Sequence, residues 1–497
     1  MLGDWLKQRA HNSPDQIGLV FEDQAWDYRA LNSQVDLLAE RLATAGVRTG
    51  KHAAALLPNS PGAVFLVHAL ARLGAVIVPL NIRLTTAELA WQANRANCDF
   101  LVYSIHTQQA ATQIDAPKLV RLQLDELTSL PDPLPIREDK TPQLITDAWN
   151  LDRIQAIVFT SGTTGKPKGA QLTFGNHFHS AVSSAFRLGI DPSDRWLATL
   201  PLFHVGGLAI IFRCCLYGIT LVLQDGFDPR AVLEVITAQN ITLVSLVPTM
   251  LHRLLDLPGS SAVLARLRCI LLGGAPASKA LLERSLAANL NLALTYGMTE
   301  TASQIATATP DETRRKPGSV GKPLLFCQVR ILGEAGEALP NGQVGQIAVS
   351  GPILMAGYYG NEVKSEQSRP TQELLTGDLG FLDVEDDLWV TQRRADLIVS
   401  GGENVYPAEI EAVLLLHPQV KSACVVGIEH PEWGQQVAAA IVKQPDASLT
   451  EGELIAFCRQ KLAGYKVPRQ VIFLSQLPQT ETGKIIRQQV AALLDEK

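Results

Sequence analysis

A β-branched apolar run, Ile154 to Phe159, opens directly into Thr160-Ser161-Gly162-Thr163-Thr164-Gly165-Lys166-Pro167-Lys168-Gly169. The run has the length and composition of a buried strand. The segment after it suits phosphate: glycines admit backbone N–H groups to close range, hydroxyls donate hydrogen bonds, and lysines supply positive charge. The spacing is not that of the P-loop, G-x-x-x-x-G-K-[ST], because the second glycine position counted from Gly162 is Pro167. Pro167 also disfavours a helical Lys166. The loop is therefore expected to stay extended and mobile over its ligand, and a nucleoside triphosphate is the expected ligand.

A phosphate loop at a strand end calls for a sheet. Leu197–Leu200, Ile219–Leu223, Ile241–Leu246 and Cys269–Leu272 have strand character, and Arg230–Gln239 and Lys279–Ala288 between them have helical spacing. Strand–helix alternation implies a mostly parallel sheet covered on both faces, with ligands beyond the carboxyl ends of its strands. From about Val329 the rhythm changes. Val329–Leu332 and Gln346–Val349 flank the turn-rich Gly333–Gly345, which predicts a smaller antiparallel unit. The last hundred residues resemble a separate unit. Pro407 opens a helix that ends near His417-Pro418, Thr450 and Glu453 form a capping box for a helix from Glu451 to Leu462, and Ala423–Gly427 and Val437–Val442 are strands. The expected fold class is α/β. A large N-terminal domain (residues 1–393) holds parallel α/β subdomains and a small antiparallel β unit. A small mobile α+β C-terminal domain (residues 394–497) completes the chain.

With 497 residues the chain exceeds one ordinary core. A net charge of −6 gives no footprint for nucleic acid or an anionic membrane. The longest apolar stretch, Val205 to Leu223, contains Arg213, so a buried helix and strand are expected and no stable membrane insertion. The start of the chain lacks the charged and apolar regions of a signal peptide. Seven cysteines without a C-x-x-C pair argue for reduced thiols in the cytoplasm rather than disulfides or zinc. Oligomeric state is left open, a homodimer included.

Four further runs carry chemistry. Tyr296-Gly297-Met298-Thr299-Glu300 follows an apolar strand, Leu292–Thr295, and Gly273-Gly274-Ala275-Pro276 follows another. Thr376-Gly377-Asp378 presents a carboxylate that can accept from both hydroxyls of a ribose. Gln479-Thr480-Glu481-Thr482-Gly483-Lys484 places a lysine near the end of the chain. With the phosphate loop, and in this order, these runs resemble the signatures of the adenylate-forming superfamily, which contains acyl-CoA synthetases, luciferases and the adenylation domains of peptide synthetases. The resemblance covers nearly the whole chain.

It implies activation of a small-molecule carboxylic acid by ATP and Mg²⁺ as an acyl-adenylate, then transfer to coenzyme A. By resemblance, Thr160, Ser161, Gly162, Thr163, Thr164, Gly165 and Lys168 hold phosphates, and Thr299 contacts the α-phosphate. Glu300 binds Mg²⁺, a role that suits a hard carboxylate oxygen. Gly274, Ala275 and Pro276 line the adenine pocket with Tyr296 nearby, and Asp378 and Arg393 anchor the ribose. Lys484 steadies charge on the α-phosphate and carboxylate oxygens, the preorganised electrostatic role that often dominates catalysis. Gly401-Gly402-Glu403 resembles a loop that swings in for the second step, its glycines leaving room for the thin pantetheine arm. Ala395 stands at the usual hinge position, where many relatives carry Asp or Lys.

The acid is the finer question. Leu200-Pro201-Leu202-Phe203-His204-Val205-Gly206-Gly207 resembles the aromatic-His segment beside the acyl pocket. His204 is either a core histidine or a gating or substrate contact. Arg213 lies in an apolar helix, where a buried guanidinium needs a partner. That partner is an internal carboxylate, water reached by snorkelling, or a second carboxylate on the substrate. Together with Tyr296–Gln304, Gly318–Leu324 and Arg393–Glu409, these residues resemble the branch that joins CoA to 2-succinylbenzoate, an aromatic dicarboxylic acid of menaquinone or phylloquinone synthesis. Ser303 and Gln304 are then polar neighbours of the substrate. Three alternatives stay open: a ligase for another aryl or medium-chain acid, transfer to a carrier-protein thiol (although no appended carrier domain is visible), and a catalytically inactive nucleotide-binding homologue.

Overall fold

The computed structural model describes residues 3–116, 118–129, 150–160, 167–360, 373–392, 397–445, 447–479 and 485–495. Two large sheets build most of it. The first has nine strands in the order Lys322–Pro323, Ser303–Thr307, Leu292–Met298, Cys269–Leu272, Leu243–Leu246, Arg195–Ala198, Thr220–Leu223, Ile17–Phe21 and Gln24–Asp27. Its central strands are parallel, as strand–helix alternation requires. The second has seven strands, with Ile154–Thr160 and Lys168–Thr173 pairing antiparallel at one side. The chain thus returns after Pro167 as a strand and not as a helix, which is the outcome that Pro167 imposes.

Helices fill the space between the sheets. In Pro61–Leu73 the Ser60 hydroxyl accepts the Ala63 N–H, Pro61 takes the first turn where no N–H is needed, and Ala63 to Leu73 are all buried. Val205–Tyr217 is buried along Gly207 to Cys215 and continues as the strand Thr220–Leu223, so the long apolar stretch is a core helix and strand. One apolar cluster joins these helices to both sheets, with Trp5, Phe174, Trp196 and Phe212 among its largest members. No helix among the described residues is long and apolar enough to cross a membrane. All seven cysteines are free.

The antiparallel unit is a four-stranded sheet, Gln328–Leu332, Gly345–Ser350, Leu374–Leu382 and Leu388–Gln392. The C-terminal unit has a five-stranded sheet centred on the hairpin Val420–His430 and Gly434–Lys443. Helices Pro407–Leu414 and Glu451–Arg459 cover one face, and Arg487–Asp495 covers the other. The expected capping box is formed by Thr450 and Glu453. Boundaries move where apolar pattern alone set them. The strand expected at Leu197–Leu200 is Arg195–Ala198, because Leu200 precedes Pro201, which has no N–H to give a ladder. The strand expected at Ala423–Gly427 runs from Val420 to His430, since its partner's register carries the pairing through polar Glu429.

Candidate functional site

Strands Leu243–Leu246, Cys269–Leu272 and Leu292–Met298 end at one cavity of about 250 Å³, where a parallel sheet presents its ligand site. Thr160, His204, Arg213, Gly274, Thr299, Glu300, Ser303, Gln304, Asp378, Gly401, Gly402 and Glu403 all border it. Ala275 and Pro276 instead line a neighbouring cleft of about 950 Å³ between the N- and C-terminal parts. Ser161, Gly162, Thr163, Thr164, Gly165, Arg393 and Lys484 lie outside the described residues, as do the hinge position Ala395 and the expected mobility of the phosphate loop.

The nucleotide side is built on hydrogen bonds between neighbouring motifs. Tyr296 is 2% exposed, and its hydroxyl donates to Asp378 Oδ2 at 2.8 Å. The Asp378 N–H donates to Thr376 Oγ1 at 3.1 Å. The Asp378 carboxylate is thereby fixed at the cavity wall. Glu300 sits on a short 3₁₀ turn, Thr299–Thr301, directly after its strand. The Tyr358 hydroxyl donates to Glu300 Oε1 at 2.8 Å, and Lys168 Nζ lies 5.3 Å from the centre of the Tyr358 ring. Glu300 borders the cavity, and among the described residues its second oxygen has no hydrogen bond. One carboxylate oxygen without a protein partner fits Mg²⁺, which takes water and phosphate oxygens as its other ligands. Among the described residues no cluster of three metal-ligating side chains competes with it.

The corner after Glu300 is tightly folded. A Cβ at Gly297 would lie 1.6 Å from the Ser303 carbonyl oxygen, so only glycine allows this approach. Ala302 and Ser303 take φ values of 50° and 112°, which side chains seldom adopt. This corner turns Ser303 and Gln304 into the cavity wall. Gln304 Nε2 donates to Thr307 Oγ1 at 2.9 Å, while its buried Oε1 has no partner among the described residues.

Arg213 is 1% exposed. Among the described residues no carboxylate pairs with it. Its Nη2 donates to Ser180 Oγ at 3.4 Å, the guanidinium lies 5.8 Å from the centre of the Trp196 ring, and Nε is buried without a partner among the described residues. Burial pulls its pKa below the ordinary value. Among the described residues this environment holds no internal salt bridge for Arg213 and leaves it no exposed surface to snorkel to, so it borders the cavity as a buried cationic group. His204 is half-buried and lies at the wall instead of in the core. Its Nε2 is 3.2 Å from Glu403 Oε2.

Glu403 comes from the C-terminal unit and closes the cavity. Its carboxylate also meets Arg83 Nη1 at 3.0 Å. Burial pushes the Glu403 carboxyl up, but His204, Arg83 and Lys466 outweigh it and hold the group below its ordinary value. Beside it, Gly402 has a φ of 86°, and a Cβ there would press on Val247 at 3.2 Å. Sequence reasoning missed Arg83, Ser245 and Thr295, which also border the cavity. Ser245 and Thr295 carry a usable signal, a lone hydroxyl inside an apolar strand. Arg83 carries none, since it sits on an unremarkable turn.

This fold and site define a class. The chain belongs to the AMP-binding enzyme family: residues 6–359 match its main domain and residues 409–484 its C-terminal domain. Among curated relatives, the 2-succinylbenzoate–CoA ligase of Bacillus cereus is 41% identical, over 99% of this chain and 98% of that one. A double mutant of the o-succinylbenzoate CoA synthetase of Bacillus subtilis, bound with a product analogue, superposes with a TM-score of 0.90 at 40% identity, covering 100% of this chain and 98% of that one. The Bacillus subtilis enzyme in complex with its acyl-adenylate intermediate gives a TM-score of 0.73 at the same identity, covering 98% of each chain. Identity and coverage hardly differ between these two, and the overall likeness is greater to the product-analogue complex.

Proposed function

We propose that this chain is an ATP-dependent acid–CoA ligase that converts 2-succinylbenzoate to 2-succinylbenzoyl-CoA through an acyl-adenylate, a step of menaquinone or phylloquinone synthesis. The observation that carries the substrate is Arg213, a buried guanidinium without a carboxylate partner among the described residues, in the same cavity as Glu300 and Asp378. One carboxylate of the substrate is activated. The other, aromatic one offers Arg213 the anion that its burial calls for.

The roles come from placement and from the family. Asp378, held by Tyr296, accepts from the ribose, with Arg393 as its companion, and Gly274, Ala275 and Pro276 border the adenine. Residues 160–165 and Lys168 cradle the phosphates. Glu300, aligned by Tyr358, holds Mg²⁺, which supplies charge neutralisation at the phosphates. Thr299 contacts the α-phosphate. Lys484 steadies negative charge during adenylation from the C-terminal domain, which we delimit at residue 394, in the interval between the two family matches. Gly401, Gly402 and Glu403 take its place for the thioester step and leave passage for pantetheine. The greater overall likeness to the product-analogue complex supports assigning the present conformation to that second step. The setting is the cytoplasm, with reduced thiols, and a homodimer is compatible with the reading.

The test is a CoA-thioester assay with ATP and Mg²⁺ across 2-succinylbenzoate, benzoate, coumarate and octanoate. The expected result is a product with 2-succinylbenzoate at the highest kcat/KM. A higher value for a monocarboxylate would reject the substrate, and no pyrophosphate release with any acid would reject the enzyme.

A further inference from the structure

Lys466 is a buried lysine, 3% exposed. Its ammonium lies 2.7 Å from Glu88 Oε1 and 2.7 Å from Glu409 Oε1. Lys466 and Glu409 both belong to the C-terminal unit, on the 3₁₀ turn Gly464–Lys466 and the helix Pro407–Leu414. Glu88 belongs to the N-terminal part, in the first turn of the helix Thr86–Arg95. Glu88 is held in place before any domain meets it. Its Oε2 accepts the Thr85 N–H at 2.7 Å and the Thr85 hydroxyl at 2.8 Å, leaving Oε1 aimed at Lys466. Glu409 Oε2 is buried without a partner among the described residues. Burial pulls the Lys466 ammonium down, but the two carboxylates outweigh it and keep the group charged.

We infer that Glu88 is a positioning residue for thioester formation: it receives Lys466 and so holds the C-terminal domain in the orientation that brings Gly401, Gly402 and Glu403 to the cavity. The inference rests on the two-step reading above. The charge balance makes the contact reversible. When the domain leaves, Lys466 stays paired with Glu409 and Glu88 returns to water while still capping its helix. Neither side then carries an isolated buried charge, which would oppose release. While docked, the contact spans two parts of the chain far apart in sequence, so it acts on domain position and not on either fold.

Glu88→Gln tests this, because Gln keeps an oxygen for the Thr85 cap while the charge and the acceptor facing Lys466 are both lost. The rate of thioester formation from preformed acyl-adenylate and CoA is expected to fall about tenfold, with pyrophosphate exchange unchanged. An unchanged thioester rate, or equal loss in both half-reactions, would overturn the inference. A second measurement needs no turnover: spin labels at Gln8→Cys and Lys421→Cys, both exposed positions, report the interdomain distance. Glu88→Gln should deplete the docked distance, and an unaltered distribution would overturn the inference. If the wild-type protein forms no adenylate from 2-succinylbenzoate, the proposed reaction fails while the distance measurement still decides the role of Glu88.

Discussion

Replacing Arg213 by Met should move binding and stability in opposite directions. Met follows the unbranched stem of Arg and removes only the charge and its donors. In the free protein that charge is desolvated, and among the described residues it is met by Ser180 and the face of Trp196. Removing an unpaired buried charge stabilises by about 1–4 kcal/mol, and the lost ring contact, desolvated but long at 5.8 Å, returns about 1–2 kcal/mol. The apo melting temperature should therefore stay level or rise. With substrate bound, a desolvated charge pair is worth about 2–5 kcal/mol by truncation. The lower end applies, since the orphaned substrate carboxylate can turn to Ser303 or a water. About 2 kcal/mol is roughly a 30-fold loss in kcat/KM for 2-succinylbenzoate. The control is 4-oxo-4-phenylbutanoate, which lacks the aromatic carboxylate. Its kcat/KM should hold or improve, and the KM for ATP should not change. An equal fall for both acids, or a large drop in melting temperature, would refute the pairing and make Arg213 a structural residue.

Lys484→Ala should abolish pyrophosphate exchange yet keep most of the thioester rate from preformed adenylate, because its charge is needed only while phosphate leaves; equal loss in both half-reactions would contradict a two-orientation mechanism. Two buried histidines set an acid limit on stability. Burial holds His68 down at about 4, and burial with the nearby Arg213 charge holds His177 at about 3. The unfolded chain binds protons at both positions below pH 6.5 and the folded chain does not, so stability rises with pH through that window. Between pH 6.5 and 5 the two should remove about 3 kcal/mol. Denaturant titrations at the two pH values check this, and equal stability would show that these rings are solvated.

What the sequence disclosed depended on how local the cause was. The Thr450–Glu453 box and the turn forced by Pro167 need only neighbouring residues, and both were readable. The motifs around Glu300 and Asp378 were readable as chemistry because backbone and side chain sit on one short run. Arg213 was readable through a conflict, a cation in an apolar helix, and such conflicts mark sites. Arg83 and Glu88 escaped because each is an ordinary surface charge until a distant segment reaches it. The hydrogen bond from Tyr296 to Asp378 escaped for the same reason: it joins two motifs 82 positions apart. The moderate shifts in strand ends have a different cause, since pairing register rather than apolar content decides where a ladder stops.

The same distinction explains how one chain can serve two chemical steps. The C-terminal unit packs its apolar residues into two clusters drawn only from residues 398–494, so it carries its own core with it. Beside the close approach of Gly402 to Val247, its named side-chain contacts with the N-terminal part are of another kind: Glu403 with Arg83 and His204, and Lys466 with Glu88. An apolar interface would gain about 25 cal/mol for every Å² buried and would resist release. Ion pairs exchange for water at little net free energy, because desolvation offsets most of their attraction. Glu403 makes this concrete. It borders the cavity from the C-terminal unit, and the same His204 that helps hold it borders that cavity from the N-terminal part. A domain docked through charges that water can replace is able to leave after one step and return for the next, and a change that made this seam apolar would be expected to trap the chain in one half of its reaction.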